Sequence, residues 1–375
     1  MTLIQFLKQC FTPSTFSMRP ACTLVWGGIL CALCFCQSAQ ALVVLQYHHV
    51  SDSTPASTSI SPELFKAHMA FLEKNKFKVI ALEDLIKLLN KGENLPDRTA
   101  LITFDDGYIS VYKQAFPVLQ SYKWPFTVFI NTKPHDEKNH LFMSWDQLRE
   151  LTKKGGTIAN HSDSHPHFIR QQDYENFDEW QVRREKEIDF AQKRIQKEIG
   201  KAVKAFAYPF GEYDERLQDL LKEKGYVAFG QQSGPIANYH SLQALPRFAF
   251  GGSYGKMEDF TAKVLSLPFP QAKVQVTDNN GRVIKQPELP ESLERPVLRI
   301  SSPMIRYIKN LTCYASGQGE IPVELNTSVA VVRAKKPIPT ARSRYNCTAN
   351  AGNGRFYWHS QMFIRRLPDG SWYNE

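Results

Sequence analysis

Thr103-Phe104-Asp105-Asp106-Gly107-Tyr108 places two adjacent carboxylates at the end of an apolar, strand-like run, Ala100 to Phe104. A second such run, Thr157 to Asn160, leads into His161-Ser162-Asp163-Ser164-His165-Pro166-His167, where two histidines stand four residues apart. Together they offer one carboxylate and two imidazoles to a divalent ion, with a second carboxylate to spare. Three protein ligands leave positions open for water and substrate, which is the arrangement of a catalytic rather than a structural metal site. Mixed Asp/His ligation suits zinc, with cobalt, nickel or iron as alternatives. Such an ion polarises a carbonyl and lowers the pKa of water, so the pattern points to metal-assisted hydrolysis.

These groups converge only if the elements carrying them share a face. From Leu42 to about Pro270, short apolar runs alternate with helical periodicity. Strands are expected at Val43–Tyr47, Lys78–Ala81, Ala100–Phe104, Phe126–Ile130, Thr157–Asn160, Val203–Tyr208 and Tyr226–Phe229, with a weaker one at Ala244–Phe248. Ser61-Pro62-Glu63 supplies an N-cap, a proline at the first helical position and an acidic first turn. Further helices are expected at Leu82–Asn90, Trp145–Lys153, Glu179–Ile199 and Asp214–Lys224, each ending close to a glycine. Seven or so β–α repeats imply a parallel sheet with right-handed crossovers, closed into a distorted (β/α)7-type barrel. His48 and His49, Asp105 and Asp106, and His161 and His165 then all lie at the C-terminal ends of strands, the catalytic face of a β/α barrel.

Thr-Phe-Asp-Asp-Gly-Tyr together with His-Ser-x-x-His-Pro-His resembles the polysaccharide deacetylase family, the NodB-homology or carbohydrate esterase 4 group. Tyr47-His48-His49-Val50 and Phe206-Ala207-Tyr208-Pro209-Phe210-Gly211 resemble its exported branch, which includes the poly-β-1,6-N-acetylglucosamine deacetylases. The resemblance covers about Leu42–Phe248. It implies that Asp106, His161 and His165 hold the metal and that Asp105 is the general base. It implies that Tyr208, Pro209 and Phe210 form a groove wall that binds substrate, with a backbone N–H to hold the tetrahedral oxyanion. No Leu-x-His motif precedes Pro270, so the general acid is assigned to His48, as in the exported branch. His48 is preferred to His49 because successive strand residues face opposite sides. His167 is expected to donate to a carboxylate or carbonyl that orients a ligand. Ala207 stands where many members carry an arginine that orients the catalytic Asp, so Asp105 is expected to lack that brace. The implied function is removal of acetyl groups from N-acetylglucosamine units of an acetylated polysaccharide. The alternatives are an O-acetyl esterase and a non-catalytic glycan-binding protein on the same fold.

Residues 1–41 have the pattern of a signal peptide: Arg19, an apolar run from Thr23 to Cys36, then Ala39-Gln40-Ala41. Cleavage after Ala41 and a periplasmic or secreted product are expected. Five of the seven cysteines would leave with that segment, and the remaining pair, Cys313 and Cys347, reads as a disulfide. After Leu267-Pro268-Phe269-Pro270 the texture changes, and residues 271–375 read as a small all-β module with a hairpin around Asp278-Asn279-Asn280-Gly281. This module has 15 Lys and Arg against 8 Asp and Glu, whereas residues 42–270 are balanced. Its excess, with Arg342, Arg344, Arg365 and Arg366, suggests association with an anionic cell surface or matrix. No nucleic-acid partner is expected.

Overall fold

The computed structural model describes residues 41–92 and 95–374. The expected signal peptide lies outside the described residues except for Ala41. β1 (Leu42–Tyr47) is followed by a two-residue pair, β2 (His49–Val50) and β3 (Ser59–Ile60). Then come β4 (Lys78–Val79), β5 (Thr99–Asp106), β6 (Phe126–Ile130), β7 (Gly156–Asn160), β8 (Ala205–Ala207), β9 (Val227–Phe229) and β10 (Phe248–Ala249). Apart from the β2–β3 pair they form one parallel sheet in the order β10-β1-β5-β6-β7-β8-β9, with β4 also on β5. The sheet curls: Phe229 makes a parallel bridge to Leu245, and Gly230 N–H donates to Leu245 O at 2.9 Å, just ahead of β10. The expected distorted barrel is this curled sheet.

The helices between the strands are α1 (Pro62–Lys74), α2 (Leu82–Lys91), α3 (Phe116–Tyr122), α4 (Thr132–Asp136), α5 (Trp145–Lys153), α6 (Phe177–Ile199), α7 (Glu215–Glu223) and α8 (Met257–Val264). Their ends follow from local chemistry. The Ser61 side chain accepts from Leu64 N–H at the start of α1, and Asn176 with Glu179 forms a capping box at the start of α6. Gly92 and Gly200 close α2 and α6 in the left-handed conformation.

Every residue of β1, β5 and β6 is buried, as strands covered on both faces must be. Alternation divides them. Leu42, Val44, Leu101 and Phe129 belong to one apolar cluster with Ala207 and Phe229 from neighbouring strands. Val43, Leu45, Phe104 and Val128 pack instead with Phe65, Leu72, Leu119 and Leu148 of the helices. Gln46 and Asp105 continue the parity of the first set, which fixes the side of the sheet on which they emerge.

The chain beyond Pro270 is all β, as expected. It contains β11 (Lys273–Thr277), β12 (Val283–Ile284), β13 (Val297–Ser301), β14 (Lys309–Ala315), β15 (Gly319–Ile321), β16 (Val323–Leu325), β17 (Val329–Arg333), β18 (Ala341–Gly352) and β19 (Arg355–Arg365). These form two antiparallel sheets, ordered β12-β11-β13-β17-β16 and β15-β14-β18-β19. Leu298, Ile300 and Val332 of one share a core with Tyr345, Cys347 and Phe363 of the other. Cys313 and Cys347, opposite each other on β14 and β18, form the expected disulfide.

The all-β part does not hang free. The described residues fall within one compact unit. Leu267 exchanges backbone bonds with Phe356 and Trp358 at 2.8 Å each, and Arg355 meets both oxygens of Asp97 at 2.7 and 2.8 Å.

Candidate active site

Asp105 and Asp106 end β5, and their two side chains meet different surroundings. Asp105 is fully buried, and Arg247 meets it with two parallel bonds, Nη1 to Oδ1 at 2.7 Å and Nη2 to Oδ2 at 2.8 Å. Gln46 Nε2 adds a third bond to Oδ2 at 2.7 Å. Arg247, itself fully buried, is anchored by Nε donating to Gly230 O at 3.0 Å. Burial pushes the Asp105 carboxyl up, but Arg247, His161 and His48 outweigh it and leave the group below its ordinary value. The brace expected to be missing because of Ala207 is therefore supplied by the segment leading into β10. Arg247 carries no motif signal; it enters just before β10, 142 residues along the chain from Asp105.

Asp106 turns away through a left-handed backbone, φ 71°. Gly107 follows at φ 82°, where a Cβ would sit 2.8 Å from the ring of His135 and 2.9 Å from Ile130. Glycine is required there by both conformation and space. The turn brings Asp106 Oδ1 to 3.4 Å from His161 Nε2 and 3.5 Å from His165 Nε2. Ligand atoms of the three residues all lie within 4.8 Å of one another. Burial raises the Asp106 carboxyl, but the hydrogen bond from His161 and the charges of His48, His161 and His165 hold it far below the carboxylate range.

His161 follows β7 directly, and its Nδ1 lies 2.7 Å from Ala207 O. A carbonyl only accepts, so Nδ1 carries a proton; Nε2, which faces Asp106, donates to it while the ring is protonated and presents a lone pair once the ring is neutral. Burial works against a charged His161, but Asp106 and Asp105 outweigh it and raise its pKa. His165, at φ 59°, is held by its N–H donating to Ser162 Oγ at 3.0 Å. Burial and the neighbouring His161 push it down to about 4. The loop between the histidines is fastened to α6: Glu187 accepts from the N–H groups of Asp163 and Ser164 at 3.1 and 2.9 Å. One carboxylate oxygen and two imidazole nitrogens, that of His161 oriented by Ala207 O, fit a divalent cation.

His48 stands at the bend between β1 and β2, outside both strands, so alternation does not separate it from His49. The charge of His48 acts on Asp105, Asp106 and His165. His49 is also coupled to Asp106, and it stacks on Tyr108, ring centroids 3.6 Å apart. Tyr108 borders the site as well: burial and the adjacent Asp106 carboxylate push its hydroxyl well up.

The Tyr208–Gly211 wall differs from expectation at Tyr208. Its ring is fully buried, its hydroxyl donates to Gln243 O at 2.7 Å, and its N–H donates to Phe229 O at 3.0 Å. With every donor used inside the fold, Tyr208 is a core residue and not a substrate contact. Pro209 is likewise buried. Phe210 is the half-buried member of the wall. It adopts φ 57°, stacks flat on His167 at 3.8 Å and meets His165 edge-on at 4.6 Å. His167 does bond a carboxylate, but one that belongs to the wall: Glu212 Oε2, at 2.8 Å from Nδ1.

Glu212 is fully buried, and its other oxygen accepts from Tyr373 Oη. Arg342 donates through Nη1 to Phe210 O at 2.5 Å. Two residues of the all-β part thus brace the wall of the site. Neither was singled out for the site by sequence; a lone Arg and a lone Tyr in a strand-rich stretch give no such signal. Arg365 and Arg366 also have internal acceptors, Glu294 at 2.9 Å and Glu288 at 2.8 Å.

Residues 92–229 match the family model described as polysaccharide deacetylase. A provisionally named polysaccharide deacetylase of Bacillus subtilis, YxkH, is 26% identical over 211 residues, covering 55% of this chain and 70% of that protein. The poly-β-1,6-N-acetyl-D-glucosamine N-deacetylase of Escherichia coli K12 is 22% identical over 261 residues, 60% of this chain but 38% of that protein. The Staphylococcus aureus MSSA476 protein of the same name is 26% identical over 183 residues, 48% of this chain and 63% of that one. Among solved structures, the Streptococcus pyogenes deacetylase PplD aligns with TM-score 0.54 at 18% identity, over 60% of this chain and 99% of that one. IcaB from Ammonifex degensii aligns with TM-score 0.52 at 22% identity, over 60% and 97%. At these identities the structural matches speak for the fold.

Proposed function

We propose, on the match of residues 92–229 to the polysaccharide deacetylase model, that the protein hydrolyses acetyl groups from N-acetylglucosamine units of an exported polysaccharide. The observation that carries this is the division of labour at the end of β5. Asp106 converges with His161 and His165 on one point, while Asp105 is held apart by Arg247. A divalent ion bound by Asp106, His161 and His165, zinc by donor preference, supplies Lewis acidity toward the acetyl carbonyl and lowers the pKa of water.

The remaining work belongs to the chain. Asp105, kept ionised by Arg247, takes a proton from the attacking water as its oxygen bonds to the acetyl carbon. The Phe210 segment, fixed by His167, Glu212 and Arg342, offers backbone N–H to the oxyanion that develops. His48 gives a proton to the amide nitrogen as the C–N bond breaks, leaving free acetate and a glucosamine unit.

The reading includes export by the N-terminal segment to the periplasm or beyond. It keeps association of the basic all-β part with an anionic surface as a separate expectation, for which Arg342, Arg344, Arg365 and Arg366 are the candidates.

The test is acetate release from poly-β-1,6-N-acetylglucosamine, chitooligosaccharide and acetylxylan, with metal content measured on the same preparation and Asp105→Asn as control. Release from the N-acetylated glycans is expected. Release from acetylxylan alone would make the protein an O-acetyl esterase. Metal-loaded protein with no release from any of them would leave only glycan binding.

A further inference from the structure

Arg342 braces the wall from β18, and a strand turns every second residue to the same face. Arg344 therefore shares that face, about 7 Å further along the strand. The pairing agrees. Arg342 stands opposite Ile364 and Arg344 opposite Met362 of β19, and both of those side chains belong to one apolar cluster with Phe206 of β8 and Tyr208 just after it. Arg344 thus faces the curled sheet rather than the core of the all-β part.

The cations gathered here differ in what they bond. Arg342 Nη1 donates to Phe210 O, and its Nε lies 4.0 Å from Glu212 Oε1. Lys263 Nζ donates to Tyr254 O at 3.2 Å and feels the carboxylate of Asp259 as well as the charge of Arg344. The Arg344 side chain has no acceptor among the described residues; only its backbone is bonded, to Ser316. It is half-buried, and burial lowers its pKa, yet none of its nitrogens is closed off from solvent. The groups that act on its charge are Tyr254 and Arg342, and Arg342 opposes it. A partly buried cation gives up solvation, and here no carboxylate returns it. Five N–H donors in a fixed fork, open on one side, call for oxygen acceptors.

Position narrows the ligand. On one side of Arg344 is the Phe210 wall, which follows β8; on the other is Tyr254, in the turn Gly252–Gly255 that follows β10. Both segments leave the C-terminal ends of strands in the parallel sheet, as do Asp106 and His161. Phe210 meets His165 at 4.6 Å, and Tyr254 is 67% exposed, so this flank of the site is open. A polymer lying along the wall brings its next unit to Arg344. The proposed reaction changes the charge of such units. An acetylated unit is uncharged, and its acetamide and hydroxyl oxygens accept. A unit that has lost its acetyl group carries a primary amine, which takes a proton and becomes a cation. The fork of Arg344, with Arg342 and Lys263 around it, bonds the first and repels the second.

We propose that Arg344 is a specificity-determining residue of the site, holding a still-acetylated unit beside the one being hydrolysed and turning away units already deacetylated. The choice of sugar rests on the deacetylase reading.

The full chain carrying Asp105→Asn, in which ligands survive, is titrated by calorimetry with β-1,6-linked tetrasaccharides of N-acetylglucosamine and of glucosamine. The acetylated ligand should bind more tightly, and adding Arg344→Gln should narrow that preference about 3–10-fold. Arg344→Glu should narrow it further. A merely structural role would weaken both ligands alike and leave their ratio unmoved. Should the variants fail to fold, the Asp105→Asn protein in rising salt decides: the preference should shrink as the Debye length falls from ~8 Å at 0.15 M to ~3 Å at 1 M. Equal affinity for the two ligands, a ratio unchanged in a folded Arg344→Glu, or a preference indifferent to salt would each overturn the proposal. So would saturable binding of sodium sulfate that excludes the tetrasaccharide, which gives Arg344 to an anionic partner. Acetate release is measured in parallel on protein with Asp105 intact. Release without the preference sinks this inference alone, and the preference without release sinks the deacetylase reading alone.

Discussion

Replacing Arg247 by glutamine keeps a polar side chain but removes the guanidinium that meets both oxygens of Asp105. Both partners are fully buried, so water cannot take over. Of the donors to Asp105 described above, only Gln46 would remain. Breaking a buried pair from one side costs about 3–5 kcal/mol, because a charge is left without its counterpart. At about 2–4 °C per kcal/mol, the value for domains of 150–250 residues, the melting temperature should fall by ~6–20 °C. The chemistry should suffer as well. Burial raises the Asp105 carboxyl, and Arg247 is the first of the charges that bring it below its ordinary value. Without Arg247 that value rises, so the ionised base is lost at a higher pH and the acid limb of the rate profile moves up. Misplacing the base adds a fall in kcat of about 10²-fold. Scanning calorimetry and an acetate-release pH profile read the two effects. The double variant Asp105→Asn/Arg247→Gln removes both charges and should melt above Arg247→Gln while staying inactive. A melting point within about 2 °C of wild type, together with an unmoved acid limb, would refute the idea that Arg247 holds the base.

Asp106→Asn and His161→Ala should each purify with little divalent metal, whereas Asp105→Asn should retain it and lose about 10²–10⁴-fold in rate; elemental analysis beside kinetics separates the roles. Glu212 is held below its ordinary pKa, since His167 and Tyr373 outweigh the upward push of burial. Its stabilisation is therefore complete above the ordinary Glu value of about 4.3 and is lost as pH falls through the lower folded value. The melting-temperature gap between wild type and Glu212→Gln should be widest near neutrality and close in acid. Cys313 and Cys347 are 34 residues apart, and replacing both by serine should cost about 4 kcal/mol by loop-closure entropy, read as a lower denaturant midpoint.

The strand-end motifs were legible because they are local. An apolar run followed by Asp-Asp-Gly, and another followed by His at i and i+4, each carries its geometry within a few residues. The cysteine pair was legible from its count and the expected export. What escaped is the long-range pairing. Arg247 stands in Leu245-Pro246-Arg247-Phe248, a stretch with no sign of a partner 142 residues away. Tyr208 was misassigned because an aromatic in a wall segment looks the same in sequence whether it points out or in. Here the ring turns inward and Gln243 O takes its hydroxyl. The left-handed backbone of Phe210 is equally invisible, since that conformation is unusual for a bulky residue and is imposed by what packs around it. Strands β14, β15 and β16 were unread because they are short or polar on their outer faces, and Lys309–Ala315 buries only Cys313 and Ala315 fully.

The bonds from Arg342 to Phe210 and from Tyr373 to Glu212 have a consequence in time. A chain emerging from the ribosome presents Asp105, Asp106, His161 and His165 early, and these can come together once the curled sheet closes. The wall opposite them stays unbraced until residue 373 has been made and has folded back. A braced wall thus follows the folding of the all-β part rather than that of the curled sheet alone. A nascent or truncated product would hold the ion-binding residues without a finished surface on which to present a glycan, and would stay idle until the rest of the chain arrived.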